Sequence, residues 1–204
     1  MKKLKYIAPI LIAVACLGFQ QAKADTVDYT LGTSNSPGTL GTGPFGNVNV
    51  NLTAGNTAII TFTAAANYLF VNGGAVAVNV NATSWTVSAF IVNAGATAVT
   101  NSGSRGEDGF GTFNQTGSQQ NANNGASSVM FTLTNTSGTW ASAANVLALN
   151  DHNWLVAAHI QIATGLTGFA AGPNGGTVPD GGTTVMLLGV ALGALGMARR
   201  FIRS

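Results

Sequence analysis

Between Asp25 and Thr177, apolar and polar residues alternate with a period of two in one segment after another, as in strands with one face buried and one face wet. Asn47-Val48-Asn49-Val50-Asn51-Leu52 alternates without a break. Val76, Val78 and Val80 share one face, as do Trp85, Val87, Ala89 and Ile91. Val129, Phe131 and Leu133 form an apolar row opposite Met130, Thr132 and Thr134. Further on, Trp154, Val156, Ala158 and Ile160 point one way and Leu155, Ala157, His159 and Gln161 the other. Turn signals stand at Ala54-Gly55-Asn56, Asn72-Gly73-Gly74, Asn93-Ala94-Gly95 and Asn135-Thr136-Ser137-Gly138, a spacing typical of sandwiches and jelly rolls. The pattern predicts an all-β body over residues 25–171, an antiparallel sandwich or jelly-roll-like fold. Trp140, Ala144 and Leu147 alone have helical spacing, which predicts one short helix from Trp140 to Leu147. Asn101 to Asp108 and Asn114 to Ala126, rich in Asn, Gln, Gly and Ser, read as exposed loops. Residues 172–177 read as a Gly-rich linker.

Both ends depart from this pattern. Lys2, Lys3 and Lys5 precede an apolar run from Ile7 to Phe19, and Ala22-Lys23-Ala24 follows with small residues where signal peptidase needs them, at Ala22 and Ala24. Residues 1–24 therefore read as a signal helix that signal peptidase removes, leaving Asp25 first. The run is about 13 residues, short of the roughly 20 a bilayer needs. The alternatives are an uncleaved anchor and a lipoprotein acceptor at Cys16, although Ala13 stands where such a site expects Leu. Cleavage after Ala24 removes the chain's single cysteine, and with it any disulfide, thiolate zinc site or cysteine nucleophile. At the other end, Thr183 to Ala198 carries no charge and is followed by Arg199, Arg200 and Arg203. As a helix it spans roughly 24 Å, and snorkelling arginines extend its reach, so it predicts a single transmembrane helix with the arginines cytoplasmic. Gly189 and Gly193 form a small-xxx-small face.

Immediately before that helix stands Val178-Pro179-Asp180-Gly181-Gly182, in which Pro179 and the paired glycines stop the helix from extending upstream. The order of short motif, apolar helix and terminal arginine cluster over residues 178–204 resembles the PEP-CTERM class of bacterial sorting signals, and within it the VPDSG-CTERM variety, with Gly181 where that variety usually has Ser. The resemblance implies recognition by an exosortase, a membrane-embedded processing enzyme that cuts near the motif and passes the body to the cell surface or extracellular matrix. A plain tail anchor would give the same topology. The stretches Phe131 to Trp140 and Ala157 to Ile160 are similar to parts of uncharacterised PEP-CTERM cargo proteins.

Composition narrows the function. Only 7% of the 204 residues are charged, against a usual quarter. Between Asp25 and Thr177 the one basic residue is Arg105, facing five carboxylates, a formal charge of −4. Such a body cannot neutralise a run of phosphates, which excludes nucleic acid as a partner. Gly41-Thr42-Gly43-Pro44-Phe45-Gly46 has GxGxxG spacing, but a strand follows it where a dinucleotide site needs a helix, so no cofactor is expected. Asp151, His152 and His159 are the nearest approach to a polar site, yet parity along a strand separates the two imidazoles and no metal site is expected. Glu107 and Asp108 lack the further oxygen ligands of a calcium loop and read as a solvated pair beside Arg105. There is no GxSxG elbow, and an enzyme is not expected. The reading that results is an exported, non-enzymatic surface or matrix protein, transiently anchored in the membrane. The alternative is an extracellular carbohydrate-binding module, in which Trp140 would be the exposed indole and an extracellular polysaccharide the partner.

Overall fold

A computed structural model describes residues 25–120 and 124–172. The predicted signal helix, the linker beyond Gly172, the sorting motif and the apolar C-terminal segment lie outside the described residues. Two antiparallel sheets face each other. The first has the order β1 (Asp25–Leu31), β3 (Gly46–Ala54), β4 (Thr57–Ala64), β11 (Ser128–Asn135) and β7 (Trp85–Val87), with β8 (Ile91–Val92) also on β11. The second runs β2 (Thr33–Ser34), β13 (Thr167–Ala171), β12 (Val156–Ile162), β6 (Val76–Val78), β10 (Gly111–Gln119) and β9 (Val99–Glu107), with β5 (Tyr68–Phe70) on β12. Among the described residues a single short α-helix, α1 (Pro37–Leu40), caps one end.

The predicted rows at Val48 and Val50, at Val76 and Val78, and at Val129, Phe131 and Leu133 meet between the sheets, joined by rows from β1 and β4. Val27, Tyr29 and Leu31 of β1, Val48 and Val50 of β3, Ile60 and Phe62 of β4, and Val129, Phe131 and Leu133 of β11 are buried against Phe70, Val76, Val78, Val156, Ala158 and Ile160. Phe62 joins the layers, edge-on to Phe70 at 5.9 Å and stacked toward Phe131 at 6.4 Å. The Ala54-Gly55-Asn56 turn closes the β3–β4 hairpin. The GxGxxG stretch is a connection into β3, with Gly41 at φ +81° and a cis Gly43–Pro44 bond.

Four expectations are corrected. Asn101 to Glu107 and the first half of the second stretch, Asn114 to Gln119, are strand, since β9 and β10 form a long hairpin through them. No continuous apolar row announces it because Gln115, Thr116 and Gln119, among its buried positions, are polar and each donates a hydrogen bond: Gln115 Nε2 to Asn101 Oδ1 at 2.9 Å, Thr116 Oγ1 to the Gly103 carbonyl at 2.9 Å, and Gln119 Nε2 to the Thr97 carbonyl at 2.8 Å. In place of a helix from Trp140 to Leu147 there is one 3₁₀ turn, Ala143–Asn145. Here Val146 and Leu147 are drawn to the end of β6, where the Asn81 amide donates to the Val146 carbonyl and Val80 bridges Leu147. Trp154 does not share a face with Val156. It precedes the strand, leaves a turn in which Asn153 has φ +65°, and packs on the outside of the second sheet while Leu155 enters the main core. Finally, Trp85 and Val87 face the core but Ile91 faces out, because the chain breaks pairing between β7 and β8, where Ser88 exchanges bonds with Thr132.

Candidate functional site

Asp25 and Asp28 are on β1 of the first sheet, whereas Arg105, Glu107, Asp108, Asp151, His152 and His159 lie about the second. Register shifts in the β9–β10 hairpin between Phe113 and Gly117, together with Gly103 at φ +64°, bend its tip back across that sheet. Phe110 and Phe113 then cover Ala77, Ala157 and Ala171 beside Trp154 and Phe169, a second small core. Phe110 meets the Trp154 ring edge-on at 5.2 Å. Three polar contacts hold the tip down: Asn35 Nδ2 donates to the Asp108 carbonyl at 3.0 Å, Asn150 Nδ2 to the Phe110 carbonyl at 2.8 Å, and the Thr112 amide to Asp151 Oδ1 at 3.0 Å.

The bent tip carries Glu107 into the protein. Its side chain is fully buried, and neither carboxyl oxygen has a hydrogen-bond partner. Arg105 Nε stands 3.9 Å away, beyond hydrogen-bond distance, and the Arg105 side chain is half in water. Burial therefore dominates and pushes the Glu107 carboxyl up to about 8, with Arg105 pulling only partly back. The group is protonated at neutral pH. It fits because residue 74 is glycine: a Cβ there would fall on the carboxyl group, and one on Gly73 would come within 2.6 Å of Arg105 Nη2.

His159 lies beside the same turn. Its Nδ1 donates to the Gly73 carbonyl at 3.2 Å, which leaves Nε2 unprotonated in the neutral ring. The imidazole stacks on Phe169 with centroids 4.3 Å apart. Burial lowers its pKa, the bond to Gly73 opposes that, and nearby Arg105 adds to the lowering. A protonated carboxyl and a neutral imidazole are a nominal acid and base, but both are packed against backbone and aromatic rings, an arrangement that positions a turn. Asp108 faces away from Glu107 toward Asn35, and His152 sits in the turn over Gly111. Among the described residues no three His, Cys, Asp or Glu side chains gather to hold a metal.

The tryptophans are occupied. Trp140, expected as the exposed indole, is buried and donates its Nε1–H to the Asn81 carbonyl at 2.7 Å. Trp85 donates to Gln115 Oε1 at 3.2 Å, and Trp154 packs on Phe110. The juxtaposition of Glu107 with Gly73 and Gly74 was missed in sequence. Its one available signal was the paired glycine after Asn72, since two residues without Cβ let another chain approach closely.

The sequence-predicted sorting residues Val178, Pro179, Asp180, Gly181, Gly182, Arg199, Arg200 and Arg203, and the cleavage residues Ala22 and Ala24, lie outside the described residues, as does the predicted transmembrane segment. Among the described residues no helix is long and apolar enough to cross a membrane. Residues 177–201 match the family described as VPDSG-CTERM motif. No curated protein and no solved structure matches the chain. The match covers the C-terminal segment and supports a PEP-CTERM-like sorting signal there, which suggests an exported, surface-directed protein handled by a membrane-associated sorting enzyme.

Proposed function

We propose that this protein is a non-enzymatic structural or adhesive component of the cell surface or extracellular matrix, held transiently in the membrane and released by an exosortase. The observation that carries the reading is the VPDSG-CTERM match over residues 177–201. In this reading signal peptidase cuts after Ala24, the helix from Thr183 to Ala198 holds the precursor with Arg199, Arg200 and Arg203 inside the cell, and cleavage near Val178 to Gly182 frees the body.

The body's geometry supports display from a membrane. β1 begins beside the Ala143–Asn145 turn, where Asp25 Oδ2 accepts from the Ala143 amide at 2.6 Å. β13 runs antiparallel to β12 and ends abreast of Val156, heading toward that same end. The last described residue, Gly172, lies against Tyr29 and Thr30 of β1, on the strand that Asp25 begins, so both ends of the described body stand along one edge of the sandwich. α1 and the β4–β5 and β12–β13 turns lie at the end away from Asp25. The packed state of Glu107 and His159 supports a role without catalysis.

The test is fractionation of the producing cells with mass spectrometry of the protein's termini, beside a strain lacking the sorting enzyme. Surface or matrix protein beginning at Asp25 and lacking Arg203 is expected, with the longer form retained in membranes of the mutant strain. Surface protein that keeps Arg203 in both strains would overturn the reading.

A further inference from the structure

The outward positions of the first sheet form ladders of unusual chemistry. In one, Asp28, Asn49, Thr61, Met130 and Ile91 stand side by side across five strands. In the next, Thr30, Asn47, Thr63 and Ser128 do the same. Along each ladder neighbours are one strand spacing apart, roughly 4.8 Å. The side of the face nearest β1 offers the Asp28 carboxylate, an acceptor, among amides and hydroxyls that can both donate and accept. The side nearest β8 offers Met130 and Ile91, the latter 58% exposed. The amides are oriented in advance, because Asp28 Oδ1 accepts from Asn47 Nδ2 and Asn49 Nδ2 at 3.0 Å each.

Charge decides what such a face can hold. Arg105, the body's one basic residue, lies on the other sheet, so anionic polymers and anionic lipid find no counter-charge. The two ladders hold neither the aromatic residues nor the arginines that anchor protein–protein interfaces, which also weighs against a second copy of the chain. A sugar chain is complementary: it is uncharged, its hydroxyls both donate and accept, and its ring faces are apolar. We propose that the outer face of the β1-β3-β4-β11 sheet binds an extended, uncharged polysaccharide and so holds the protein within an extracellular matrix. This deepens the surface-protein reading and rests on it for the location of the glycan. The recognition is by polar ladder and aliphatic strip, without an aromatic platform.

The experiment is affinity electrophoresis of the full chain in detergent, in native gels containing hydroxyethyl cellulose, glucomannan or xyloglucan, with alginate as the acidic polymer. Slowing by at least one neutral polymer and none by alginate is expected. Thr30→Lys with Thr63→Lys, both at exposed positions, should weaken the apparent affinity about tenfold or more. Ile91→Ser tests the apolar side and should weaken it several-fold. Thr100→Lys with Ser102→Lys, exposed on β9 of the other sheet, introduces the same charge and should leave the slowing unchanged. Far-UV spectra of all variants establish that each is folded. No slowing by any neutral polymer, slowing only by alginate, or slowing that survives both changes to the first sheet overturns the proposal. Binding is read on purified protein, so its failure is distinct from a failure of export or processing, which fractionation reads.

Discussion

Glu107 rests its carboxyl group directly against the backbone of Gly74, in the space that any other residue at position 74 would fill with Cβ. The contact joins the bent tip of the β9–β10 hairpin to the turn before β6, two segments 33 residues apart in the chain. It also accounts for the one strongly displaced carboxyl pKa among the described residues.

Stability should fall as the pH rises through this group's titration. Its folded pKa of about 8 lies above the ordinary 4.5. The contribution is then fully present below pH 4.5 and lost progressively up to about pH 8, because the unfolded chain ionises first. His159, with a lowered pKa, acts in the opposite sense: its contribution is present above 6.5 and lost as the pH falls below that value. Urea denaturation of the parent and Glu107→Gln at several pH values separates the two. The Gln variant should gain on the parent by several kcal/mol across the Glu107 window, and a difference independent of pH would contradict the assignment.

Replacing Gly74 should be far worse than replacing Gly95. Both have positive φ, +72° and +84°, so both carry the strain of a left-handed side chain, about 1 kcal/mol. A Cβ on Gly95 meets nothing within 4 Å, whereas one on Gly74 lands on Glu107. Gly74→Ala should cost more than about 3 kcal/mol, in the range of overpacked cores. Urea midpoints of the two variants check this, and equal losses would count against the contact.

Trp140→Phe should destabilise by about 1 kcal/mol, since it removes the part-buried hydrogen bond from the indole to the Asn81 carbonyl. The same variant should leave any polysaccharide binding unchanged, because the indole is 4% exposed. Thermal melts and affinity gels of the one protein give both answers.

In the tail, two kinds of substitution should separate anchoring from processing. Leu188→Asp places a charge in the apolar segment at a cost of roughly 2.5–3.5 kcal/mol on insertion scales, and should release unprocessed protein. Pro179→Ala with Asp180→Ala leaves hydropathy intact, so the protein should stay in the membrane uncut. Mass and membrane partitioning in the producing cells read both, and wild-type release of the second variant would reduce the motif to a linker.

A chain covering residues 25–172 should be soluble and melt cooperatively with a β-type far-UV spectrum, since every strand pairing described lies within it. A disordered or mainly helical spectrum would contradict the fold.

The sequence by itself determined much of the paired inner faces and the sorting motif near the C-terminal end. Val48 and Val50, Val76 and Val78, and Val129, Phe131 and Leu133 could be read because a strand with one dry face must place an apolar residue at every second position. The motif at Val178 to Gly182 could be read because it is a run of consecutive residues, and residues 177–201 match the VPDSG-CTERM motif. The tertiary structure alone decided the β9–β10 hairpin, the burial of Glu107 and the burial of Trp140. Gln115, Thr116 and Gln119 look like loop residues until their hydrogen-bond partners, Asn101, Gly103 and Thr97, are brought beside them. Glu107 looks solvated until Gly74, from a different turn, is seen to have left room for it. A polar side chain carries no local record of whether its partner is water or a distant stretch of the same chain, and only the closed sandwich chooses between them.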